Sequence, residues 1–141
     1  MLLQAQRELV VEYGKKLVTA GLTEGTFGNI SVFDRERGLM AISPSGMDYF
    51  STTPADVVVT DLEGRVVEGT RKPSSELDLH RLFYQRRGDV NGVVHTHSPF
   101  ATILSCLGWA IEPIHYLVAY SGNQVPCIPY YPFGSLELAE A

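Results

Sequence analysis

Two runs rich in β-branched residues, Val57-Val58-Val59-Thr60 and Arg65-Val66-Val67-Glu68, are separated only by Asp61-Leu62-Glu63-Gly64. Runs of this kind around a short loop containing glycine form a β-hairpin, which commits its surroundings to antiparallel pairing. A lone hairpin is marginal in water, so further strands and a covering helix are expected. Ile30 to Phe33 reads as one strand and Leu39 to Ile42 as another, stopped by Ser43-Pro44-Ser45-Gly46. Asn91-Gly92 precedes an apolar strand from Val93 to His97, and Ile114 to Val118 and Val125 to Ile128 read as two more. Leu3, Leu9, Val10, Tyr13 and Leu17 recur at helical spacing, which predicts an amphipathic helix over residues 2–20 with Gly21 at its C-terminal cap. Pro73-Ser74-Ser75 opens a second helix, whose Leu79, Leu82 and Phe83 share a face. Ser98-Pro99 caps a third from Phe100 to Leu107, and Gly134-Ser135 starts a fourth over residues 136–141. This alternation argues for one mixed α/β domain, residues 1–141, with a largely antiparallel sheet.

At 141 residues, 45% hydrophobic and 19% charged, the chain has an ordinary globular balance and room for a real core. Its net charge of −5 argues against a nucleic-acid surface, although a few backbone N–H groups can still hold a small anion. No apolar run is long enough to span a bilayer, and Arg7, Glu8 and Glu12 interrupt any export signal at the N-terminus. With only Cys106 and Cys127 present, free thiols and a reducing, cytoplasmic compartment are expected.

His95 and His97 are one residue apart on an expected strand, which puts both imidazoles on one face. Two neutral imidazoles one pleat apart can share a divalent ion, with zinc the usual partner for nitrogen plus carboxylate donors. The alternative is a pair of core or surface histidines. Upstream lies Lys72-Pro73-Ser74-Ser75-Glu76 at a helix start. The free N–H groups there and two serine hydroxyls make an anion cradle, and Glu76 follows within reach of a metal on the strand. Plain helix capping would account for one of the serines, and a first-turn acid interacting with the helix dipole for Glu76. Gly28-Asn29-Ile30-Ser31 and Ser43-Pro44-Ser45-Gly46 are two more polar turns at strand ends that can present N–H groups to an anion. Each alone is also an ordinary loop.

Taken in order, Gly28-Asn29-Ile30-Ser31, Ser43-Pro44-Ser45-Gly46, Lys72-Pro73-Ser74-Ser75-Glu76, Val94-His95-Thr96-His97-Ser98, Ile114-His115-Tyr116 and Pro126-Cys127-Ile128-Pro129-Tyr130 resemble the class II aldolase/adducin family. The pattern is closest to its L-fuculose-phosphate aldolases, and the likeness covers nearly the whole chain. It implies a three-layer α/β/α fold with a mainly antiparallel central sheet, lacking the C-terminal part of the family domain. It implies Zn2+, or another divalent metal, held by Glu76, His95 and His97. The family's third histidine would lie beyond residue 141, and neither His80 nor His115 matches it. Gly28, Asn29, Ser45, Gly46, Ser74 and Ser75 correspond to phosphate-binding turns, and Phe133 to an aromatic position near the substrate. Glu76 would also carry a proton, and Tyr116 would handle the aldehyde-side proton.

The implied reaction is retro-aldol cleavage of a phosphorylated ketose, such as L-fuculose 1-phosphate, to dihydroxyacetone phosphate and an aldehyde. The implied assembly is a homotetramer with sites near subunit contacts, with no nucleic-acid or membrane partner. The family also contains sugar-phosphate 4-epimerases, ketose-phosphate dehydratases and adducin-like interaction modules without a metal. The epimerase branch typically carries Asp where this chain has Glu76, and a module needs none of Glu76, His95 and His97, so the aldolase is the expected function.

Overall fold

The structure is a computed structural model describing residues 1–141. A five-stranded antiparallel sheet forms its centre, in the order β4-β3-β2-β1-β5. The strands are β1 (Asn29–Asp34), β2 (Leu39–Ile42), β3 (Val58–Asp61), β4 (Val66–Glu68) and β5 (Gly92–His95). The expected hairpin is β3–β4, with Asp61 closing the turn: its carboxylate accepts from the backbone N–H of Glu63 and Arg65. The first helix, α1 (Gln4–Thr19), covers one face of the sheet, and α2 (Leu77–Arg86) covers the other. This is the α/β/α arrangement that the resemblance implies.

The period-two alternation of the central strands makes the two cores. Ala41, Val57 and Val59 turn to α1 and meet Leu3, Val10 and Leu17. Met40, Ile42 and Val58 turn the other way and meet Tyr84 of α2, with Phe33 and Val93 beside them. Fully burying such side chains contributes about 1.5–3 kcal/mol each. A polar exception anchors α1. Arg7 is buried, and its guanidinium donates to the carbonyls of Leu2, Pro54 and Val57 and to the Glu68 carboxylate.

Two expectations need correction. Ile114–Val118 is not a strand: Tyr116–Ser121 forms a 3-10 helix, and the only β pairing in this stretch is an isolated bridge between Ile111 and Val125. β-branched composition favours a strand only where a partner edge exists, and both edges of the sheet lie elsewhere. Val125–Ile128 likewise forms no strand. On α2 the buried positions are His80 and Tyr84, and Leu79, Leu82 and Phe83 are only partly covered or exposed. The remaining elements are α3 (Pro99–Cys106), with Pro99 in its first turn, and α4 (Leu136–Glu140), where the Ser135 hydroxyl accepts from Leu138 N–H. Both cysteines are free. No helix is long and apolar enough to cross a membrane.

Candidate functional site

The face of the sheet under α2 carries the site. In β1, Asn29, Ser31 and Phe33 alternate onto that face, and in β5 Val93 and His95 do the same. Asn29 pairs in register with His95, and Ser31 with Val93. Gly28 lets the chain enter β1 so close to β5: its φ is +71°, and a Cβ there would stand 2.7 Å from the His95 carbonyl oxygen. Glycine is the residue that tolerates both demands. The Tyr49 hydroxyl donates to the Gly28 carbonyl at 2.9 Å and braces the same turn.

Two loops meet beside it. Ser74 N–H donates to the Ser43 carbonyl at 3.1 Å and Ser45 N–H to the Lys72 carbonyl at 2.9 Å, so the Ser43–Gly46 turn and the Lys72–Glu76 segment are stitched side by side. The Ser43 hydroxyl accepts from Ile30 N–H and ties both to β1. A cleft of about 440 Å³ results, lined by Thr26, Phe27, Gly28, Asn29, Pro44, Ser45, Gly46, Ser74, Ser75, Glu76, His97 and Phe133. Every residue assigned to phosphate binding by resemblance, with Phe133, is on that wall. Thr26 and Phe27 were not singled out from sequence, and only their place between the Gly25 and Gly28 turns hints at them.

The carboxylate of Glu76 is buried at the N-cap of α2. One of its oxygens accepts from the Asn29 side-chain amide at 2.7 Å and stands 3.2 Å from His95 Nε2. His95 Nε2 is in turn 3.0 Å from His97 Nε2, with the two rings edge to face. Donors sharing a tetrahedral zinc stand roughly 3.3 Å apart when each bond is about 2.0–2.1 Å, so both spacings suit a common ion. Glu76 and His97 make no direct contact and the three do not close into a compact donor cluster; His95 is the hub. His97 lies just past the end of β5, not on it, so its approach to His95 comes from the turn into α3 and not from strand period alone. Burial holds the His95 imidazole below its ordinary pKa, with the Glu76 charge opposing and His97 reinforcing that shift. A neutral ring with a free lone pair is the form that binds a metal.

Tyr116 is placed elsewhere. It opens the 3-10 helix, is 74% exposed, packs on the His115 ring and lines a separate hollow with Pro113, Ile114 and Asn123. The Ser74 hydroxyl is used in a local turn just before α2, accepting from Glu76 N–H. Phe133 reaches the cleft because Gly134 passes close to Ser75: a Cβ on Gly134 would stand 2.9 Å from the Ser75 carbonyl oxygen.

The family profile described as Class II Aldolase and Adducin N-terminal domain matches residues 8–141. The chain belongs to the class II aldolase and adducin family. It is similar to the 5-deoxy-D-ribulose 1-phosphate aldolase of Bacillus thuringiensis serovar kurstaki, at 55% identity over all of this chain and 66% of that one. It is 40% identical to the L-fuculose phosphate aldolase of Escherichia coli K12 across 93% of this chain and 60% of that one. Among solved structures, an L-fuculose 1-phosphate aldolase superposes with a TM-score of 0.93 at 46% identity, over 96% of this chain and 64% of that protein. The chain thus spans slightly less than two thirds of the class II aldolases it resembles.

Proposed function

We propose that this chain carries the phosphate cleft and part of the metal site of a class II aldolase that cleaves a ketose 1-phosphate to dihydroxyacetone phosphate and an aldehyde. One observation carries the reading: His95 stands 3.2 Å from Glu76 and 3.0 Å from His97, and Glu76 and His97 line a cleft walled by Gly28, Ser45, Gly46, Ser74 and Ser75. The named relatives act on 5-deoxyribulose 1-phosphate or fuculose phosphate, and both substrates share the phosphorylated ketone end that such a cleft would hold.

Zn2+ or a related divalent ion, held by Glu76, His95 and His97, would act as a Lewis acid on the ketose oxygens and stabilise the negative charge that develops as the carbon–carbon bond breaks. The two serine-bearing loops and the Gly28 turn would bind the phosphate through backbone N–H groups and hydroxyls, which fixes the substrate and lowers the entropic part of the barrier. Glu76, within the same cleft, would add and remove the proton at the ketone-side carbon. Phe133 would cover the substrate from the open side. Tyr116, which lies outside the cleft, would serve as the aldehyde-side proton carrier only across a contact between copies, in keeping with a homo-oligomer.

The test is release of dihydroxyacetone phosphate from 5-deoxyribulose 1-phosphate and fuculose 1-phosphate, followed by coupled reduction, with metal content measured in parallel. Cleavage is expected to vanish on chelation and in His95→Ala together with the bound metal. Glu76→Gln is expected to slow cleavage by about 100-fold or more, the lower range of acid–base contributions. Stoichiometric epimerisation of ribulose 5-phosphate without cleavage, or full turnover in metal-free protein, would overturn the reading.

A further inference from the structure

Behind Glu76 a file of buried polar side chains runs into the core. The Asn29 amide Nδ2 donates to Glu76 at 2.7 Å, and Asn29 Oδ1 meets His80 Nε2. His80 Nδ1 is 2.6 Å from the Ser31 hydroxyl, which is 2.6 Å from the Tyr84 hydroxyl. His80 and Ser31 are fully buried, and Asn29, Glu76 and Tyr84 nearly so.

Chemistry fixes the direction of every bond in this file. A carboxylate only accepts, so the amide must turn its NH2 to Glu76 and its oxygen to His80. That oxygen needs a donor, so His80 Nε2 carries a proton. A buried imidazolium with no carboxylate against it is costly, so the ring is neutral and Nδ1 has the lone pair. Burial, helped by His95, holds its pKa down to about 3, in agreement. Ser31 must then donate to Nδ1 and accept from Tyr84. Nothing in packing alone calls for this set, because apolar side chains of the same shape would be nearly as stable. The polarity is explained by what lies at its end.

We propose that His80 is a positioning residue that acts through Asn29 to hold the Glu76 carboxylate in one orientation, with Ser31 and Tyr84 fixing the tautomer of His80. This rests on the role given to Glu76 above. Partners behind a metal-binding or proton-carrying group typically alter function by about 10–100-fold when removed.

The decisive experiment is NMR on the full chain, labelled with 15N in histidine and asparagine and followed from pH 5 to 8. His80 is expected as the pure Nε2–H tautomer throughout, with one Asn29 side-chain amide proton shifted downfield and slow to exchange. His80→Leu is expected to abolish that shift, and His80→Gln to retain it, because a glutamine amide can donate where Nε2–H stood. Should the leucine variant not fold, Ser31→Ala replaces it and is expected to release the tautomer. An Nδ1–H tautomer, an imidazolium, or an unchanged Asn29 signal in the His80→Leu or Ser31→Ala protein would overturn the proposal. These readouts need neither metal nor turnover, so an inactive chain would refute the aldolase reading without deciding this one. Where turnover is present, His80→Leu is expected to lower kcat by about 10-fold or more with little change in KM, and His80→Gln to recover most of it. Equal losses in both variants would mark a purely structural role.

Discussion

The first 95 residues and the last 46 are built on opposite terms. Every buried residue lies between Leu3 and Val93, and none follows it. Residues 96–141 are not polar to match: Phe100, Ile103, Trp109, Ile114, Tyr116, Tyr120, Tyr130 and Phe133 all stand more than half exposed. The contrast separates two jobs. The sheet with α1 and α2 supplies its own core, so Glu76, Asn29 and His95 sit on a rigid frame. The later segment leans on that frame mainly where α4 meets α2, and it brings Phe133 to the cleft without closing a core of its own.

The sharpest way to break this contrast is to substitute on both sides of it. Ile42→Ala, within the core between the sheet and α2, is expected to destabilise the chain by about 2–5 kcal/mol in a urea titration. A loss under 1 kcal/mol would mean that the first region is not the stable unit.

A smaller effect should come from His80. Its folded pKa, near 3, is below the ordinary 6.5. Between those values the unfolded chain binds a proton that the folded chain does not, so stability falls as the pH drops through that window. The slope is about 1.4 kcal/mol per pH unit for one group. Between pH 6 and pH 4.5 the native sequence should lose stability more steeply than His80→Gln; equal slopes would place the imidazole in contact with water.

The smallest change is expected at the far end. Ile114 is 90% exposed, and Ile114→Ser should move stability by no more than about 0.5 kcal/mol. Amide exchange sharpens the same point: β2 and β3 should exchange only with global unfolding, and residues 110–130 far sooner. Slow exchange there would show that the second region folds on its own terms.

How much of this was legible depends on where each signal sits. The β3–β4 hairpin and α1 were readable because their periods repeat within one local segment, and Gly21 ended α1 as expected, with φ +68°. The serine loops were readable as turns, but that Ser43 and Ser74 bond to one another is a long-range fact with no local mark. Ile114–Val118 misled because β-branched composition is silent about whether an edge is available. The burial of His80 and Tyr84 on α2 was not legible, because Leu79 and Phe83 outrank them on any hydrophobic scale. A hint was present: Asn29 and Ser31 alternate with Ile30 and Val32, and polar residues on a buried strand face demand polar partners opposite. The approach of His95 and Glu76 followed from the resemblance and not from spacing alone.

Gly28 has a practical consequence for anyone reshaping the cleft. Any side chain at that position would collide with the backbone behind His95, so the wall there cannot be moved without disturbing the histidine pair. Phe133 lines the same cleft and is largely exposed. Enlarging the cleft is therefore a matter of trimming residue 133 and leaving residue 28 untouched.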